Sequence, residues 1–281
     1  MAPSYRPPWL VFFRETPVFS VRLQKLRSDP SCRELRNSEA SFSFLTYAYL
    51  CRVQLFYSSR IENSRIILNE EETRHAISVL RKVPGDVLHV IDGKGNLFKA
   101  LINKVNKKET ELEIQETKTY PKPEKEIHLV VAPTKNMDRM EWLLEKSIEI
   151  GLSSLSFIRC EHSERKQVNM ERLEKIALAA CKQSLTWHFP ELNDIVPFKN
   201  YLQSVHPMQG FIAVCKDAES VLNKQTSLKE QVHLMIGPEG DFTEDEYMLA
   251  KSAGWIGLSL GNKRLRTETA ALAGVVGLNF L

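Results

Sequence analysis

The chain has 281 residues, 43% of them hydrophobic and 26% charged, with a formal net charge of +3. That length allows two domains and a sizeable core, and the composition is that of an ordinary globular protein, not of a disordered or collagenous chain. No apolar run reaches the roughly 20 residues that a membrane-spanning helix needs. The five cysteines (Cys32, Cys51, Cys160, Cys181, Cys215) are scattered and contain no CxxC pair, which argues for a reducing compartment and against a disulfide framework or a zinc site. They read as buried or incidental thiols.

Residues 1–52 differ in kind from the rest. They carry eight basic and four acidic residues, seven of the eight being Arg, whereas the remaining 229 hold thirty basic against thirty-one acidic, with Lys outnumbering Arg two to one. A near-neutral body confines any RNA contact to local patches. The first segment is rich in Ser and Pro and shows no sustained helical or strand period. Glu15, Asp29, Glu34 and Glu39 count against a transit peptide, and Trp9 to Phe13 is too short for the apolar core of a secretory signal. Two readings stay open. Residues 1–52 are a disordered leader, or the reading frame runs upstream of a natural start near Val53, a GUG codon being read as valine inside a longer frame.

Short alternating segments predict strands over 55–57, 65–68, 87–91, 97–105 and 109–116. Pro84-Gly85-Asp86 and Asp92-Gly93-Lys94-Gly95-Asn96 supply turns between them. One helix is predicted over 70–80, with Asn69 as N-cap and three glutamates at the positive end of its dipole. Five strands and one helix in this span read as a small β-barrel. Tyr120–Glu126 alternates two prolines with charge, sustains neither a helix nor a central strand, and marks a domain boundary.

Ile127–Ala132 is an apolar, β-branched run but for His128, as expected of a strand buried on both faces. A helix over 138–150, closed by Gly151, a strand over 155–158, a helix over 170–187 and a strand over 211–214 continue the alternation. Strands alternating with helices predict an α/β domain with a mostly parallel sheet. Val232–Ile236 then runs into Gly237-Pro238-Glu239-Gly240, and a strand over 255–260 ends at Gly261. The loop Asn262–Arg266 opens a helix whose first turn is Thr267-Glu268-Thr269. Strand ends that empty into glycine-containing loops beside a helix N-terminus are where open α/β sheets bind ligands. The pattern is neither the GxGxxG dinucleotide fingerprint nor a phosphate-binding Walker loop.

IGPEGDF (236–242) followed by LGNKRLRTETAALA (260–273) resembles the cofactor-binding end of the RsmE-type enzymes, the ribosomal RNA uridine-N3 methyltransferases of the SPOUT superfamily. The likeness is dense over 236–273, extends more weakly back to Leu55 and does not reach residues 1–52. It implies a PUA-like β-barrel RNA-binding domain over 53–119, a linker over 120–126 and a SPOUT methyltransferase domain over 127–281 tied in a trefoil knot. True knots are rare, so that expectation rests on the family alone. The implied cofactor is S-adenosylmethionine, held at Ile236, Gly237, Pro238, Glu239, Gly240, Leu260, Gly261, Leu265, Arg266, Thr267 and Ala270, with Leu260, Leu265 and Ala270 as apolar walls. Thr267 or Thr269 serves equally as a helix cap.

The resemblance also implies RNA contacts. His75 and Arg81 lie in a motif similar to the family's H..VLR. Lys135, Arg139 and Arg165 lie near strand ends, and Glu149-Ile150-Gly151 stands where the family has ELG. Each of these also reads as part of a solvated face or a surface ion pair. Gln183-Ser184 resembles the family's EQS, but Thr186 stands where many members carry arginine, which removes one phosphate contact. His188 reads as structural. For methyl transfer to uridine N3, positioning supplies most of the rate, while the N3 proton must leave. Arg266 would favour the uridine anion, or Glu239 or Glu268 would accept the proton, and both options stand. A paired target base must be extruded. No metal motif is present. The implied partners are small-subunit (16S) ribosomal RNA and a second copy of the chain, packed through the C-terminal helix. There Ala270–Gly274 would allow close approach, although ordinary core packing explains that run equally well. The implied setting is cytoplasmic. Two rivals are a SPOUT enzyme with another RNA target or a ribose 2′-oxygen nucleophile, and a silent RNA-binding ribosome-assembly factor.

Overall fold

The structure is a computed structural model and describes residues 54–215, 218, 220–221 and 228–280. Both readings of residues 1–52, together with Cys32 and Cys51, lie outside the described residues. The first sheet is built from β1 (Leu55–Tyr57), β2 (Arg60–Glu62), β3 (Arg65–Leu68), β4 (Val87–Ile91), β5 (Asn96–Val105) and β6 (Thr110–Thr119). Its order is β1-β4-β5-β6-β3-β2, antiparallel except for β1 against β4. Only Ser58 and Ser59 separate the two edge strands, so the sheet has to curl until its edges meet. Buried Ser58 ties that seam: its N–H donates to the Ile91 carbonyl at 3.2 Å and its hydroxyl to the Ile67 carbonyl at 2.7 Å. Phe56, Ile66, Leu88, Val90, Ile102 and Leu112 fill the resulting barrel. Strand β2 escapes sequence reading because Arg-Ile-Glu offers a single apolar residue.

The helix expected over 70–80 is only half α. Asn69 caps α1 (Glu70–Arg74), its side chain accepting from the Glu72 N–H at 2.9 Å, and a single π turn over His75–Val79 follows. In an α-helix, residues three and four apart share a face, so Val79 and Leu80 would follow the buried Ala76 into the barrel. The wider turn swings them out, leaving Val79 63% exposed. Arg81, left-handed at φ 54°, ends the turn.

The second sheet has seven strands: β7 (Glu126–Val131), β8 (Ser154–Arg159), β9 (Glu191–Pro197), β10 (Gly210–Ala213), β11 (Ser220–Val221), β12 (Gln231–Ile236) and β13 (Ile256–Ser259). The order is β11-β13-β10-β12-β7-β8-β9, and every pair is parallel. The helices are α2 (Met137–Ile150), α3 (Met170–Ser184), α4 (Phe198–Ser204), α5 (Glu244–Ser252) and α6 (Thr267–Phe280). Ile127, Leu129 and Val131 point into the core shared with α2, α3 and α6, while Val130 and Ala132 join that under α4 and α5. Both faces are covered over Leu129–Val131, which is why this part of the strand reads as apolar, while His128 near the strand's start is half-buried. Glu126 already belongs to β7, one residue inside the expected linker. Strand β9 and helix α4 were not expected, because β9 is an edge strand with polar residues interleaved and a proline at its end.

Helix α3 stops at Ser184, three residues short of Trp187, with Leu185 left-handed at φ 58°. The residues beyond it join the two sheets. Trp187 stacks on Tyr120 at 4.4 Å, its carbonyl accepts from the Gly95 N–H at 3.0 Å, and His188 Nε2 donates to the Tyr120 carbonyl at 2.9 Å. A side chain at Gly93 or Gly95, both at positive φ, would strike Phe189 or His188, so these glycines are required by the joint. Lys182 adds a salt bridge of 2.7 Å to the buried Glu72.

Helix α6 returns from β13 across the sheet to pack beside α2. Ala271, Val275 and Leu278 enter the core, and a Cβ at Gly274 would lie 2.2 Å from a Leu234 methyl. The small-residue run is therefore used within the chain.

Candidate functional site

All strands of the second sheet are parallel, so their C-terminal ends and the loops that follow lie on one edge. The loop over 237–242 leaves β12 and that over 260–266 leaves β13. Strand β10 lies between them, so the two loops flank its end at roughly two strand spacings, about 10 Å. Gly237 is buried, and a Cβ there would sit 3.1 Å from the Phe242 ring. A Cβ at Gly240 would lie 3.0 Å from His162. Gly261, at φ 116°, faces open space, with no atom within 4 Å of a Cβ position. Leu260, Leu265 and Ala270 are half-buried, Ile236, Pro238 and Thr267 are buried, and Arg266 and Glu239 are exposed.

The charged candidates are paired with one another. Lys135 donates its N–H to Glu239 Oε1 at 3.1 Å and its ammonium to Glu164 at 3.0 Å. Arg165 donates to the Lys135 carbonyl at 2.6 Å and the Thr134 carbonyl at 3.3 Å. These contacts bind the loops after β7, β8 and β12 together. A cavity of about 410 Å³ opens there, lined by Lys135, Glu164, Arg165, Lys166 and Gln167. Arg139 reaches Glu268 at 3.7 Å. Glu268 is 8% exposed, and its second oxygen is buried with no hydrogen-bond partner, which makes it a ready acceptor for a ligand's N–H or O–H.

Three candidates sit elsewhere. His75 begins the π turn of the barrel with its ring 5.6 Å from Phe56, and Arg81 is exposed at the end of that turn. Gln183 is exposed at the last turn of α3, which leads towards the opposite edge of the sheet. At Thr186 the hydroxyl pairs with Ser184 at 2.8 Å.

Two family models match the chain: an RNA methyltransferase domain over residues 121–278 and an RNA methyltransferase PUA domain over residues 68–115. The chain belongs to the RNA methyltransferase family. Its fold is a PUA-like domain followed by a methyltransferase domain with a parallel sheet. The chain is similar in structure to a probable rRNA-methyltransferase from Porphyromonas gingivalis (37% identity, 79% of this chain and 95% of that one, TM-score 0.71). It is also similar to a ribosomal RNA small subunit methyltransferase E from Neisseria gonorrhoeae bound to S-adenosyl methionine (27% identity, 82% and 98%, TM-score 0.71). In sequence it is 28% identical over 233 residues to ribosomal RNA small subunit methyltransferase E of Rickettsia conorii, covering 81% of this chain and 95% of that protein.

Sequence reading of this methyltransferase missed His162, Asp241 and Glu246. His162 follows β8 by three residues and meets the 237–242 loop, its Nδ1 lying 3.1 Å from the Asp241 carbonyl. The rule that finds sites at strand C-termini also covers this loop, and only the absence of a family motif at His162 hid it. Of the cysteines, Cys160 and Cys181 are buried, and burial pushes the Cys181 thiol up to about 12. Cys215, expected to be buried or incidental, is exposed at the end of β10. Among the described residues no group of His, Cys, Asp or Glu is arranged to hold a metal ion, and no helix is long and apolar enough to cross a membrane.

Proposed function

We propose that this methyltransferase uses S-adenosylmethionine to methylate N3 of a uridine in small-subunit (16S) ribosomal RNA. The observation that carries this reading is the convergence of the 237–242 and 260–266 loops on one sheet edge beside the buried, half-satisfied Glu268. The residues fit the cofactor. Gly237, Gly240 and Gly261 bring bare backbone to the edge, Leu260, Leu265 and Ala270 form apolar walls, and Glu268 offers a free acceptor oxygen to a hydroxyl or amino group. When bound, the cofactor supplies an electrophilic methyl on a sulfonium. Arg139 holds Glu268 in place. Exposed Arg266, beside it in sequence, favours negative charge on a uracil drawn to this edge.

The rest of the account follows the same reading. We take 53–119 as an RNA-binding barrel, 120–126 as a linker and 127–281 as the catalytic domain. The return of α6 across β12 and β7 is in keeping with a trefoil knot. His75, Arg81, Lys135, Arg139, Arg165 and Gln183 are offered as RNA contacts, Arg81 being the most accessible on the barrel. Two copies would pair through α6, whose Ala273 and Phe280 are exposed. The enzyme would act in the cytoplasm, on ribosomal subunits.

The test is calorimetric titration of S-adenosylmethionine into the full chain and into Gly240→Trp. Gly240 is exposed and not at positive φ, so the variant is expected to fold, as circular dichroism will check. The side chain it adds collides with His162. Saturable binding that the variant loses is expected. No heat of binding to a folded wild-type chain would overturn the reading in favour of a silent RNA-binding factor.

A further inference from the structure

We propose that His162 is the general base that removes the N3 proton of the target uridine. This rests on the reading above and adds to it the group that makes N3 nucleophilic. The ring packs on Gly240, with Cβ, Cγ and Nδ1 at 3.0, 3.3 and 3.4 Å from the position a Cβ would take there. A larger residue at this place would make the imidazole give by a few tenths of an ångström, so glycine eases its close approach to the 237–242 loop.

The geometry fixes the tautomer. Nδ1 lies 3.1 Å from the Asp241 carbonyl oxygen, which can only accept, so Nδ1 carries the hydrogen and Nε2 of the neutral ring carries a lone pair. Among the described residues no hydrogen bond engages Nε2. The loop bearing His162 is pinned on both sides. Glu246, 8% exposed, accepts from the Glu161 N–H at 2.9 Å and from the Thr243 N–H at 3.0 Å, linking the loop to the cap of α5. Ser163 accepts from the Cys160 N–H at 2.9 Å. Asp241 is left-handed at φ 64°, outside the ordinary range of a non-glycine residue, and this conformation is part of what presents its carbonyl to the ring.

The other candidates suit the task less well. Glu239 accepts from the Lys135 N–H and Glu268 is paired with Arg139, while a guanidinium at Arg266 donates and does not accept. In the step assigned to His162, the N3–H bond breaks and the proton passes to Nε2, giving an imidazolium held by Asp241. The N3 electron pair forms the new N–CH3 bond as the carbon–sulfur bond of a methylsulfonium breaks, and a neutral thioether leaves. The imidazolium then returns its proton to water.

The test compares the full chain with His162→Gln, which keeps a polar side chain but cannot take the proton. The 15N shifts of His162 in the wild-type chain are expected to show the Nδ1–H tautomer. The variant is expected to bind S-adenosylmethionine as the wild type does, while its kcat on small-subunit RNA falls by about a hundredfold or more. The variant should recover rate as rising pH ionises the uridine itself. An Nε2–H tautomer, or a variant that keeps the wild-type rate, would overturn the assignment alone. A wild-type chain that methylates no uridine would overturn the reading beneath it as well.

Discussion

His128 and His233 show how a single contact carries a pH dependence. Their rings stack at 4.3 Å at the edge of the sheet away from the site, His128 against the Ser154 hydroxyl at 2.6 Å and His233 against the Tyr201 hydroxyl at 3.2 Å. Burial lowers the pKa of both, and burial together with the neighbouring His128 pushes His233 down to about 4. Glu126 and Glu191 pull His128 the other way without overcoming burial. A histidine in the unfolded chain titrates near 6.5, so the unfolded state takes up protons first. The contribution to stability is whole above about pH 6.5 and is lost as pH falls from there towards the folded value. A loss on the order of 1–2 kcal/mol between neutrality and pH 5 is expected, after allowance for screening at a partly exposed site. Urea unfolding midpoints will measure it, with His233→Gln reducing the slope. Midpoints that stay level from pH 7 to pH 5 would contradict this account.

At the same scale, the glycine loops could be read in advance because Gly237, Gly240 and Gly261 stand at strand ends, where residue type and spacing carry the signal. Partners could not. Arg165 reads in sequence as an RNA contact or a surface ion-pair partner, but in the fold its guanidinium donates to the carbonyls of residues 134 and 135. The contact between His162 and Asp241 spans 79 positions, and no local pattern encodes it.

Among the elements, those with a strong period and clear stop signals were readable, as with α2 between Asn136 and the left-handed Gly151 at φ 108°. The misses have local causes. The π turn over 75–79 follows from what the barrel will admit, and α3 ends early because Trp187 and His188 are needed at the joint with the barrel. The family resemblance made α6 the dimer element, while its small-residue run read equally as core packing, and Gly274 does meet Leu234 inside the chain. What α6 leaves outside is Phe280, 77% exposed, with Trp142 of α2 at 45%. Large apolar side chains left in solvent on two adjoining helices are suited to an interface. Sedimentation velocity of the full chain is expected to give twice the monomer mass, and Phe280→Asp to shift it to monomer. A wild-type chain that sediments as a monomer at micromolar concentration would remove the dimer from the account.

For the whole molecule, the division into a barrel and a parallel sheet was foreseeable from two hydrophobic periods on either side of a proline-bearing linker. Their joining was not. The stack of Trp187 on Tyr120, the close fit at Gly93 and Gly95 and the buried Lys182–Glu72 pair couple the sheets so that residues 54–281 hold together as one compact unit. On the proposed reading, such a joint would keep an RNA-binding barrel in fixed register with the sheet edge that receives the base, as transfer by positioning requires. The most direct test is to incubate the full chain with methyl-labelled S-adenosylmethionine and small-subunit ribosomal RNA, digest the RNA to nucleosides and identify the labelled one by mass spectrometry. The account predicts 3-methyluridine. Label in a ribose-methylated nucleoside or another base, or none despite bound cofactor, would contradict it.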